Sequence, residues 1–190
     1  MDGVRRDQSR VHGMILMPVS LFHCPLDYEL ESRPPEFGPS VRMSGEDLLL
    51  PPPDTRGGYW PYNDEGYLST GREHHAIMLE MIEKHLGLKR DVSVCDWGCY
   101  TGRVLRHFYR QHKELGWKLH GVDVQARAIE WLRLNWPPEI NVLGCMIIPS
   151  LPFPDNSIDV LYGVSVFTHV KYLWDAWLNE IKRVLRPGGL

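Results

Sequence analysis

Val94-Cys95-Asp96-Trp97-Gly98-Cys99-Tyr100-Thr101-Gly102-Arg103, followed about 20 residues later by Gly121-Val122-Asp123, constrains this chain more than any other stretch. An apolar strand runs into an acid and a glycine-containing turn, and a helix follows. A second apolar strand then ends in another acid. That order builds a nucleoside-binding crevice at the carboxyl edge of a parallel sheet.

The flanking pattern agrees with such a sheet. Short apolar runs at Val92 to Asp96, Lys118 to Asp123, Ile140 to Ile148 and Ile158 to Val164 read as strands. Helical periodicity separates them at His74 to Leu86, Thr101 to His112, Arg127 to Leu134 and Tyr172 to Leu185. In the last, Trp174, Trp177, Leu178, Ile181, Val184 and Leu185 form one apolar stripe and are expected in the core. Strands alternating with helices predict a Rossmann-like, three-layer α/β open sheet, mostly parallel. His74 and His75 are expected at the start of the first helix, on the surface or in its cap.

Residues 1–66 differ. Pro34, Pro35, Pro39, Pro51-Pro52-Pro53 and Pro61 forbid long helices and central strands there. An irregular arm is expected, ordered by Tyr59, Trp60, Tyr62 and Tyr67 packing on a domain that spans 67–190. Tyr67 is also placed to close over a ligand.

Composition narrows the partners. The formal net charge is −3, which gives no basic footprint for nucleic acid. Cys24, Cys95, Cys99 and Cys145 lack paired spacing, so reduced thiols of a cytoplasmic protein are expected, with no metal site. Arg5, Arg6 and the apolar Met14 to Phe22 resemble a leader faintly, but Pro18 interrupts them and no cleavage site follows. No run approaches the roughly 18 apolar residues of a membrane helix.

Three glycine-rich loops compete at residues 96–102. A phosphate loop needs G-x-x-x-x-G-K-[ST], which is absent. A dinucleotide fingerprint started at Gly98 needs glycines where Tyr100 and Arg103 stand, and side chains there would crowd a pyrophosphate. The third form, Asp-x-Gly-x-x-x-Gly, brings backbone close to an uncharged nucleoside with an amino-acid tail. Asp96 suits an ammonium, Gly98 and Gly102 permit close approach, and Asp123 can accept both ribose hydroxyls. Ammonium, ribose and adenine together describe S-adenosylmethionine.

With these residues the chain resembles the class I S-adenosylmethionine-dependent methyltransferases, of the type 11-like kind. Val94 to Gly102 matches their first motif except at Tyr100, which stands where the family has its middle glycine. Gly121-Val122-Asp123 is similar to the ribose-binding segment. Leu151 to Val160 is similar to the approach to the fourth strand. Ser165 to His169 and Trp177 to Gly189 are similar to the helix and turn that feed the fifth. The resemblance covers roughly residues 67–190.

It implies in-line methyl transfer to a small-molecule or glycan acceptor. The donor would contact Asp96, Gly98, Cys99, Tyr100, Gly102, Asp123 and Val124, with Gly163 and Ser165 near the methyl group. His169 is the candidate general base, because an imidazole titrates near neutral pH. Asp159 is expected to be structural. The family often places an acid near the end of the third strand to meet adenine; Cys145 to Ser150 offers none, so apolar contact and backbone groups would hold the ring.

The chain ends at Leu190, where a fifth strand is due, so a fragment or interrupted reading frame is expected. Val160 to Val164 would then be an unpaired edge favouring self-association. The alternative is a non-catalytic or degraded copy of the fold that acts as a binding or scaffold module.

Overall fold

The computed structural model describes residues 37–56 and 63–190, all within the unit Pro35–Leu190. Expectations about the N-terminal leader, Cys24, Tyr59, Trp60 and Tyr62 fall outside these residues. Among the described residues four strands form: β1 Ser93–Trp97, β2 Lys118–Asp123, β3 Asn141–Gly144 and β4 Val160–Tyr162. They pair in parallel in the order β3-β2-β1-β4. Helices α1 Asp64–Leu86, α2 Tyr109–Leu115, α3 Ala126–Asn135, α4 Phe167–Val170 and α5 Trp174–Val184 accompany them. The expected α/β class and parallel sheet are borne out. The order reverses direction between β1 and β4, and ligands of open α/β sheets bind at such a switch point.

Alternation along the strands sends side chains to two cores. Val94, Leu119, Val142 and Val160 join Ile82 of α1 and Ile129, Trp131 and Leu132 of α3 on one face. Cys95, Trp97 and Val122 join Trp177 and Val184 of α5 on the other. Trp117, Trp131 and Trp177 are fully buried. Each such indole removes about 150–250 Å² from water, worth roughly 4–6 kcal/mol before ordering costs.

Three elements differ from their sequence expectation. α1 starts at Asp64, ten residues before His74, because the Asn63 side chain accepts from the Gly66 N–H (2.7 Å) and caps it. His74 and His75 therefore lie mid-helix, and the His75 ring packs edge-on against Phe108 (4.5 Å), where burial lowers its pKa. The span Thr101 to His112 begins with turns and a 3₁₀ segment, Leu105–Phe108, before α2. In α5 the stripe splits: Trp177 is buried, while Trp174 and Leu178 are 54% and 53% exposed. The sheet covers a narrower arc than the apolar stripe, and Trp174 opens the helix with its indole N–H donating to the Phe167 carbonyl.

The outer edge of β4 is not bare. Leu190 N–H donates to Asp159 O (2.9 Å), and Leu161 N–H donates to Leu190 O (2.8 Å). The turn through Gly188 (φ +79°) brings the last residue alongside, which removes the ground for expecting self-association there. Asp159 is structural: it accepts from Ser93 N–H (2.8 Å) and from Arg186 (2.6 Å).

Residues 37–56 pack on the sheet domain. Val41 and Leu50 form an antiparallel bridge, and Leu48 enters the α1/α3 core. Arg106 ties them down by donating to the carbonyls of Leu48 and Leu49 while pairing with Glu46. Among the described residues no helix is long and apolar enough to cross a membrane.

Candidate active site

Asp96 sits near the carboxyl end of β1, opposite Gly121 of β2 and Tyr162 of β4. Its carboxyl is 3% exposed. Burial pushes its pKa up to about 7; the Asp123 charge adds to the rise, while Tyr162 and Arg103 oppose it. The Tyr162 hydroxyl is buried beside this carboxyl and lowers its pKa by hydrogen bonding toward it.

The loop after β1 is built on left-handed residues. Gly98 (φ +79°), Tyr100 (φ +48°) and Gly102 (φ +76°) all lie there. The N–H groups of Gly98 and Cys99 both donate to Val122 O, at 2.8 and 3.1 Å. Tyr100 thus takes a conformation suited to glycine, at a cost of about 1–2 kcal/mol, and the turn keeps its form. What holds it is Asp123, whose Oδ2 accepts the Tyr100 N–H at 2.7 Å. Tyr100→Gly is expected to raise the urea midpoint at unchanged m-value, a gain of about 0.5–1 kcal/mol after the added freedom of the unfolded chain. A loss instead would mean that the phenol ring stabilises the loop by more than its backbone strains it.

Asp123 ends β2, 6% exposed. Its Oδ1 accepts the Gln125 N–H at 2.8 Å. Burial raises its pKa against these backbone hydrogen bonds. With the Gln125, Tyr100 and Val124 N–H groups all bonded to it, this carboxylate keeps roughly one of its four acceptor positions.

The other expected contacts divide. Asp96, Gly98, Cys99 and Tyr100 line one open cleft. A Cβ on Gly98 would come within 2.4 Å of Val166. The Cys99 thiol also packs inward, where a Cβ on Gly121 would meet it at 2.9 Å. Gly102 faces Trp136, whose indole would stand 2.1 Å from an added Cβ. Its glycine thus has a packing reason. Asp123, Val124, Gly163, Ser165 and His169 lie outside the cleft's lining. Gly163 packs on Trp97, and Ser165 (φ +64°) accepts from the Thr168 hydroxyl at 2.7 Å. His169 is exposed on α4.

Arg56, Thr101, Arg103 and Val164 line the cleft beside the expected residues. So does Tyr67, whose hydroxyl donates to Thr101 O at 2.9 Å and whose pKa burial pushes up to about 12. Arg103 stands within the motif itself. Arg56 had no readable signal, because it follows a proline triplet with no periodicity to place it.

A family model described as "Methyltransferase domain" matches residues 95–190. A sterol 24-C-methyltransferase of Gibberella zeae is 29% identical over 112 residues, covering 56% of this chain and 28% of that protein. A demethylmenaquinone methyltransferase of Tropheryma whipplei is 30% identical over 106 residues, covering 56% and 42%. The chain thus spans less than half the length of these relatives. Among solved structures, the complex between a Haloferax volcanii methyltransferase activator and a methyltransferase contains a chain that aligns with a TM-score of 0.50 at 22% identity. The alignment covers 66% of this chain and 54% of that one, a likeness of fold.

Proposed function

The chain belongs to the methyltransferase domain family, and from that premise we propose that it carries out S-adenosylmethionine-dependent methyl transfer to a small-molecule or glycan acceptor. The observation that carries this reading is one sheet edge holding an acid at the end of β1, a left-handed loop, and a second acid at the end of β2.

The residues present fit the donor. Asp96 is a buried acceptor for an ammonium, and the acceptor position left on Asp123 suits a ribose hydroxyl. Val124 and Met146, both exposed beyond the ends of β2 and β3, offer apolar surface for adenine in place of the missing acid. When bound, S-adenosylmethionine supplies a methyl group on a positively charged sulfur, open to in-line displacement. The chain contributes positioning, for which held geometry substitutes for lost entropy. The acceptor would approach from the β4 end, where Ser165 and His169 are exposed. His169 would there take the acceptor's proton.

Asp123→Ala tests the reading by calorimetric titration with S-adenosylhomocysteine. Removing the carboxylate strands the ribose hydroxyl and frees the Tyr100 N–H, so affinity should fall by about 1–3 kcal/mol, or roughly 5- to 150-fold. An unchanged affinity would refute the ribose role. Absence of any binding by the parent chain would favour the non-catalytic alternative.

A further inference from the structure

Residues 145–157, between β3 and β4, hold neither helix nor strand. The segment starts at the carboxyl edge of the sheet. There the Cys145 N–H donates to the Asp123 carbonyl at 2.9 Å, and Met146 is exposed. It carries no acid before Asp155. Adenine would meet only its apolar side chains and backbone groups. Such groups recognise a ligand only as well as they are placed. An irregular segment has no ladder of its own to place them.

Its placement comes from α5. The Trp177 indole N–H donates to Ile147 O at 3.2 Å, and Glu180 Oε1 accepts the Leu151 N–H at 2.6 Å. Arg183 adds the most. Its Nη1 donates to Phe153 O at 2.9 Å and to Asp155 Oδ1 at 2.7 Å. Its Nη2 donates to Leu151 O at 3.2 Å and to Glu180 Oε1 at 2.6 Å. Its Nε donates to Glu180 Oε2 at 2.8 Å. Every N–H of the guanidinium thus meets an acceptor. The Arg183 hydrogen bonds hold the Glu180 pKa below its ordinary value, so that carboxylate stays ionised beneath the fork. The Arg183 backbone carbonyl in turn accepts the Asn156 N–H at 2.9 Å.

Apolar contact alone would not do this. Leu151 and Phe153 join the core beside Trp177, but hydrophobic burial has no direction. It keeps the segment down without aiming the carbonyls and N–H groups between. A planar fork with several acceptors fixes direction as well as distance.

We propose that Arg183, seated on Glu180, is a positioning residue for donor binding: it holds residues 145–153 in the form that the nucleoside meets. This rests on the reading of the donor as S-adenosylmethionine.

The test is calorimetric titration of the full chain and its Arg183→Met variant, well below both melting temperatures, with amide hydrogen exchange on the same proteins. The probes are S-adenosylhomocysteine and 5′-methylthioadenosine, which share the nucleoside; only the first carries the amino-acid end. Arg183→Met should weaken both probes by the same factor, roughly 5- to 50-fold. Arg183→Lys keeps the charge and loses the fork, so it should restore little of that loss. Amides of residues 147–156 should exchange faster in Arg183→Met, and those of β1 and β2 at the parent's rate. A purely structural role would lower the melting temperature and leave the affinity of the folded protein unchanged. That result overturns the inference while the donor reading stands, as does weakening confined to S-adenosylhomocysteine or full rescue by lysine. Failure of both probes to bind the parent overturns the donor reading and the inference together. If Arg183→Met does not fold, Trp177→Phe decides, because it keeps a buried ring and removes the N–H to Ile147. Weakening of both probes by about twofold or more supports the inference, and unchanged affinity overturns it.

Discussion

Gly71→Ala is expected to destabilise the protein by about 3 kcal/mol, roughly 6–12 °C in melting temperature for a domain of this size. In an ordinary helix the same change stabilises by about 1 kcal/mol, because alanine is the better helix former. Gly71 lies inside α1, where that helix crosses the segment after the β1 loop. An added Cβ would stand 2.3 Å from the Arg103 carbonyl oxygen and 2.8 Å from the His107 imidazole. A flexible side chain could turn aside; a backbone carbonyl cannot without moving the loop that carries Gly98 and Gly102. Urea or thermal unfolding of the two proteins decides the matter. A neutral or stabilising result would mean that α1 and this segment are farther apart than 2.3 Å implies.

Asp96→Asn is expected to separate stability from binding. The folded carboxyl titrates at about 7 because it is buried, against about 3.9 in an unfolded chain. Between those values the native state holds a proton that the unfolded state has released. Stability from this group therefore falls as pH rises from about 4 to 7, and the deficit is fully present above 7. At about 1.4 kcal/mol per pKa unit, that deficit is bounded by roughly 4 kcal/mol. The asparagine carries no charge to bury. The variant should be more stable than the parent by about 1–3 kcal/mol at pH 8, with the gain gone by pH 4.

Donor binding should move the other way. An ammonium prefers the ionised carboxylate, so the parent's affinity for S-adenosylhomocysteine should rise from pH 5.5 to 8, by up to about tenfold per pH unit below 7. The variant should bind at least about tenfold more weakly at pH 8, with little slope. Denaturation and titration across the same pH series read both effects. A variant less stable than its parent at pH 8 would show that Arg103 and Tyr162 hold the carboxylate ionised.

Much of this was legible in the sequence, for local reasons. β2 runs from Lys118 to Asp123 as its apolar pattern indicates, and β1 is displaced by one residue. Both acids stand at strand ends because the motif places them one residue before a turn. Legibility failed where a contact distant in sequence decided the outcome. The glycine at position 71 of α1 is explained only by the Arg103 carbonyl above it, 32 residues away in sequence. Trp174 and Leu178 follow helical spacing as faithfully as Trp177, yet only Trp177 meets the sheet. Tyr100 reads as an obstacle to the loop, while the structure seats its backbone in the left-handed region on Asp123, 23 residues away.

The sequence by itself determined the alternation of strands and helices, the parallel α/β class and the acid-loop-acid motif. Each is written in periodicity and spacing over a few residues. Only the tertiary structure decided the strand order β3-β2-β1-β4, the occupied outer edge of β4, and the placing of Arg56 in one cleft with Asp96, 40 positions later in the chain. Those depend on which distant groups share one desolvated space, and local pattern carries no record of that.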